Sequence, residues 1–127
     1  METRAFAPLY SPSAAAPNAA TTQGTLSPSV TVTASAAAAA STQFPGVSPN
    51  SFCQMQIANT TAQWAYVNFG NLSIAVVTPA TVAASYPVAP GSVVVVSVAG
   101  EVNGASVILA AAPGTATAVT FTRGEGL

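Results

Sequence analysis

The chain has 127 residues, half of them apolar, with a formal net charge of −1 and only 4% charged side chains, against about 25% in an ordinary soluble domain. That length gives one domain with enough apolar material for a core. Two Arg and no Lys leave too few cations to neutralise a run of phosphates, which argues against a nucleic-acid partner, and a chain without His, Lys or Asp cannot build a Ser-His-Asp or Cys-His centre.

Charge is confined to Glu2, Arg4, Glu101, Arg123 and Glu125. Residues 1–50 are low in complexity: they hold six of the ten prolines, and Ala, Ser and Thr fill most of the rest. The opening stretch METRAFAPLYSPSAAAP makes a poor signal peptide, because Glu2 offsets Arg4 and Pro8 and Pro12 interrupt any apolar run. Apolar anchors are sparse, and Phe6, Leu9, Tyr10, Leu26 and Phe44 are the candidates for partner contacts. Ser29-Val-Thr-Val-Thr33 alternates and predicts one short strand. Ala36–Ala40 favours helix, but so short a helix does not survive its nucleation cost. Residues 1–50 bury too little surface to order by themselves, so they read either as a disordered tail or linker or as an extended arm that a neighbouring subunit or larger surface holds down; the arm, draped over adjacent subunits, is the expectation carried forward. Deleting residues 2–50 is then expected to weaken attachment and leave a body over 51–127 folded.

From Phe52 the pattern turns to period two. In Phe52–Ile57, Cys53, Met55 and Ile57 share one face, with Phe52, Gln54 and Gln56 on the other. Cys53, the one cysteine, reads as a small buried hydrophobe. Gln63–Phe69 predicts a second strand. Leu72–Val77 predicts a third, stopped by Pro79, and Ala80–Ser85 a weak fourth, stopped by Pro87. Ser92–Val98 is the fifth. Asn103-Gly104, between Val102 and Ala105–Leu109, reads as a two-residue type I′ hairpin turn. Pro113-Gly114 makes another turn, and Thr115–Thr122 is the last strand. The fold class is all-β: a β-sandwich or jelly roll of about seven or eight short antiparallel strands, with the extended N-terminal arm.

The run Val93–Val96 is apolar on both of its faces. A spanning helix needs about 20 apolar residues, and this run is broken by Ser97 and bounded by Pro90-Gly91 and Gly100-Glu101, so no membrane partner is expected. One side of the run enters the core; Val94 and Val96 are assigned to the side that meets a partner. No Lys is present to blunt a strand edge, so little edge is expected to face open solvent in the working state.

Chemistry finds no footing. Metal sites lack ligands, and paired carboxylates would have to come from Glu2, Glu101 and Glu125. Gly124-Glu-Gly126 lacks the helix that a phosphate loop requires. No cofactor and no enzymatic activity are expected. Trp64 and Tyr66 share one face of their strand and Phe69 takes the other; core packing or a subunit interface is the first reading, and a carbohydrate platform with Asn68 the second. Asn59-Thr-Thr61 and Asn71-Leu-Ser73 match the glycosylation pattern by chance in an Asn/Ser/Thr-rich chain. Arg123 and Glu125 pair with each other or make polar contacts with a partner; the sequence leaves both open.

Three stretches carry a resemblance: Ile57-Ala-Asn-Thr-Thr-Ala-Gln-Trp-Ala-Tyr-Val-Asn-Phe-Gly70, Tyr86-Pro-Val-Ala-Pro-Gly-Ser-Val93 and Gly114-Thr-Ala-Thr-Ala-Val-Thr-Phe-Thr-Arg-Gly-Glu-Gly-Leu127. Over roughly residues 50–127 the chain resembles capsid cement, or decoration, proteins of short-tailed bacteriophages; it shares their style and partial pattern without a diagnostic motif. The resemblance implies a jelly-roll-like body on the outside of the virion, a dimer or trimer bound to the major capsid protein and bridging its subunits. Two other assignments stay open: a subunit of a fibre, pilus-like or surface-layer assembly, and a carbohydrate-binding module.

Overall fold

A computed structural model of the chain describes residues 7–8, 29–43, 52–72, 74–99 and 101–125. They form an all-β sandwich of two sheets. The strands are β1 (Ala7–Pro8), β2 (Ser29–Thr33), β3 (Ala40–Gln43), β4 (Phe52–Asn59), β5 (Ala65–Gly70), β6 (Tyr86–Val88), β7 (Val93–Ala99), β8 (Gly104–Leu109) and β9 (Ala118–Glu125). The first sheet runs β2-β9-β4-β7, with the two-residue β1 on the same edge of β9 as β2; the second runs β3-β8-β5-β6. Every strand pair is antiparallel. No helix among the described residues is long and apolar enough to cross a membrane.

The core follows from the alternation. Val32, Met55, Ile57, Val119 and Phe121 from the first sheet meet Ala65, Val67, Val88, Ala105, Val107 and Leu109 from the second, all buried. Fully burying one such large side chain is worth about 1.5–3 kcal/mol. Phe69 and Phe121 span the two layers edge to face, with centroids 6.0 Å apart, the arrangement that aromatic quadrupoles favour.

Several expectations are corrected. The boundary near residue 50 is drawn too late: β2 pairs with β9 along its whole length and β3 pairs with β8, so residues 29–43 give a strand to each sheet. Val32 and Ala34 are buried there. The segment cannot fold on its own, but it needs no core of its own when two existing sheet edges offer ladder bonds and a place for small side chains. Removing residues 2–50 therefore takes out part of the sandwich, which contradicts the expectation of a body that folds without them.

The strands expected at Leu72–Val77 and Ala80–Ser85 do not form. This connection instead folds over the outer face of the second sheet. Asn68 Nδ2 donates to the Thr78 carbonyl at 3.1 Å, and the Ala80 N–H donates to Ser106 Oγ at 3.0 Å. Val77 and Ala80 are buried by the contact. Two strands without a clear sequence signal, β3 and β6, sit at the edges of that sheet. Pro87 is tolerated in β6 because an edge strand has one side without ladder bonds.

Asn103-Gly104 is not a hairpin turn. β7 and β8 lie in different sheets, and the chain crosses between them with the Val102 N–H bonded to the Ala99 carbonyl. Gly104 has no positive φ, which a type I′ turn would need. A methyl group at Gly104 would stand 2.9 Å from Leu72 and from Val77. The glycine thus serves close packing of the 71–85 connection rather than a turn. Asn103 is used too: its Oδ1 accepts the Leu72 N–H at 2.8 Å. The Pro113-Gly114 turn forms as expected, with Gly114 at a φ of 78°.

Candidate interface

The outward side chains of the first sheet line up in rows set by register. One row is Ser29, Thr122, Gln56 and Val95; the next is Thr31, Thr120, Ala58 and Val93. Ser29 and Thr122 hydroxyls bond at 2.8 Å, and Thr31 and Thr120 at 3.0 Å. The face grades from hydroxyls at β2, through amides at β4, to bare valine at β7. It carries no charge among the described residues, where Glu101, just past β7, is the one exposed charged side chain.

Strand β7 decides the character of this face. Val94, Val96 and Val98 pack against the core, while Val93 is 58% exposed and Val95 43%. The assignment of Val94 and Val96 to a partner-facing side is therefore inverted. Both sides of the run are apolar, so composition does not fix its parity; register with β4 does, placing Val94 opposite Ile57 and Val96 opposite Met55. Ser97 was the available signal, since it marks the outward side that Val93 and Val95 share.

The backbone of β7 is equally informative. The Asn59 N–H donates to the Ser92 carbonyl. In an antiparallel ladder hydrogen-bonded pairs recur every second residue, so Val94, Val96 and Val98 turn their peptide groups toward β4. Those of Val93, Val95 and Ser97 point away from it. Among the described residues β7 pairs with β4 alone, so these groups form an open edge. The other edges are shorter: β2 has five residues, β3 four, and β6 three with a proline; β7 has seven, with neither Pro nor charge.

A second exposed apolar feature lies on the 71–85 connection, where Ile74 is 82% exposed and Val76 85%. The sequence reading placed both within the strand expected at Leu72–Val77 and did not single them out. Trp64, just before β5, is 46% exposed, Tyr66 is half-buried, and Phe69 is in the core contact described above.

Arg123 does not lie on this exposed face. It is fully buried on the core side of β9, and its Nη1 donates to the Val102 carbonyl, at the crossing between the sheets. The strict alternation of β9, with Val119 and Phe121 also inward, carries it there. Asn59 is buried as well. Its Nδ2 donates to the carbonyls of Gln63 at 2.8 Å, Val88 at 3.1 Å and Ala89 at 3.2 Å, while its Oδ1 accepts from Thr61. It ties the β4–β5 turn to the end of β6, a structural duty. Phe6, Leu9, Tyr10, Leu26 and Phe44 lie outside the described residues, as do the side chains of Cys53 and Glu125.

No three His, Cys, Asp or Glu side chains gather among the described residues to hold a metal ion. Among the described residues, the fold and this surface define a β-sandwich with an uncharged face and a long open edge. Compared with models of protein families, with curated proteins and with solved structures, the chain matches none of them.

Proposed function

We propose that this chain is a structural virion protein, a cement or decoration protein that binds the outer surface of a tailed-phage capsid. It bridges major capsid protein subunits and works as a dimer or trimer. The observation that carries this reading is the uncharged outer face of the first sheet, running from Ser29 and Thr31 to the exposed Val93 and Val95. Such a face suits a wide, mostly apolar and hydroxyl-bonded contact. The sequence resemblance over residues 50–127 supports it. A protein of this kind needs no active site: binding only the assembled shell stabilises the shell by mass action. Ile74 and Val76 offer a second contact, suited to reaching an adjacent subunit.

The test is quantitative mass spectrometry of gradient-purified particles from the source, comparing this chain with the most abundant shell protein. A simple near-stoichiometric ratio supports the reading; absence from the particles overturns it. The open β7 edge favours one second reading, a subunit of a fibre or surface-layer assembly that grows by strand addition. Polymerisation of the purified chain without any shell would favour that reading.

A further inference from the structure

We propose that β7 is a two-fold interface: a second copy of the chain pairs with it edge to edge and antiparallel, with Val95 opposite Val95 of the other copy and Val93 opposite Ser97. The open groups select this register. Among the described residues of β7, Val93, Val95 and Ser97 turn their peptide groups outward with no pairing strand beyond them, while the Ala99 carbonyl accepts from Val102. These positions are symmetric about Val95, so a two-fold axis through it satisfies the N–H and C=O of all three in both copies. An isologous joint of this kind is self-complementary by construction.

A second copy fits this edge better than an unlike strand for reasons of charge and side chain. The paired segment has no charge, and Glu101 lies beyond its end in each copy, so two copies meet without like-charge repulsion. The exposed Val93 and Val95 lie along the same edge, and pairing covers Val95 with Val95 and Val93 with Ser97. A net charge of −1 gives little colloidal repulsion between copies. The joint would also continue the outer face across the dimer as one uncharged surface. This inference names the homo-oligomer within the proposed function but rests on the edge alone. A dimer absent from any virion leaves it standing while that reading fails.

The test is sedimentation velocity of the full chain over a range of concentrations, with substitutions on either side of β7. Val95→Lys sets two cations against each other at the axis. Val95→Pro removes one outward N–H and no bond to β4. Thr31→Lys on the opposite edge of the same sheet is the control. The expected result is a dimer for the unaltered chain and Thr31→Lys, and a folded monomer for both Val95 variants. Val95→Cys should cross-link to itself on oxidation, since Cα atoms of a hydrogen-bonded pair lie about 5.5 Å apart, within disulfide reach. Ser97→Cys, whose partner is Val93, should not. A monomer at every concentration, an oligomer other than two, or a dimer that withstands Val95→Lys overturns the proposal. The unaltered chain and the Val95→Cys cross-link decide the matter even if Val95→Lys or Val95→Pro unfolds.

Discussion

Ile57 and Val94 stand directly opposite each other across the β4–β7 ladder, with Ile57 fully buried and Val94 packed against the same core cluster. That single pairing fixes the parity of the valine run and turns Val93 and Val95 outward. Substitutions on the two sides of the run should differ sharply. Ile57→Ala is expected to destabilise by about 2–5 kcal/mol through lost burial and a residual cavity. Val95→Thr, on the outer face, should stay within about 0.5 kcal/mol. Urea unfolding followed by circular dichroism measures both, and equal losses would mean the parity is wrong.

Arg123 and the Val102 carbonyl make a second test of the interior. Arg123→Glu replaces the buried donor with a carboxylate facing a carbonyl oxygen. The expected loss is about 3–5 kcal/mol, the scale of an uncompensated buried charge. A thermal scan showing an unchanged midpoint would place Arg123 at the surface after all.

Gly104 and Gly114 should respond to alanine for different reasons. At Gly104 the added methyl meets Leu72 and Val77 at 2.9 Å, an overpacking cost of about 1–3 kcal/mol. At Gly114 nothing lies within 4 Å, but φ is +78°, a backbone cost of about 1–2 kcal/mol. A double variant with Leu72→Ala should recover part of the stability lost at Gly104→Ala, the Val77 contact remaining, and leave Gly114→Ala unrelieved.

Asn59→Leu should cost more than any outward Asn or Gln on this fold. It removes the donor to the carbonyls of Gln63, Val88 and Ala89 and the acceptor for Thr61. Each buried group left unsatisfied costs about 1–3 kcal/mol. Gln56→Leu, on the outer face, is the comparison, and similar unfolding midpoints for the two variants would contradict the network.

Deletion through residue 43 removes β2 and β3 and uncovers β9 and β8. The truncated chain is expected to lose the dispersed amide spectrum of a folded sandwich. A well-dispersed spectrum would restore the boundary near residue 50.

The resemblance and the composition both leave the partner of this chain a proposal, but the fold divides more cleanly. The period-two patterns of Phe52–Ile57, Ser92–Val98 and Thr115–Thr122, punctuated by Pro and Gly, were enough for an all-β chain, because alternation is a local property of a half-buried strand. So was the exclusion of chemistry that needs His, Lys or Asp. Which strands are neighbours was not legible. β7 and β8 adjoin Asn103-Gly104 in the chain yet join different sheets, since both hairpin and crossing satisfy the same local turn propensity. The low-complexity stretch with β2 and β3 becomes structured only because β9 and β8 present edges to it. The valine run takes its inward side from Met55 and Ile57 across the ladder. Tertiary pairing alone decided these points: a strand's two faces and two edges are equivalent until a neighbour occupies one of them.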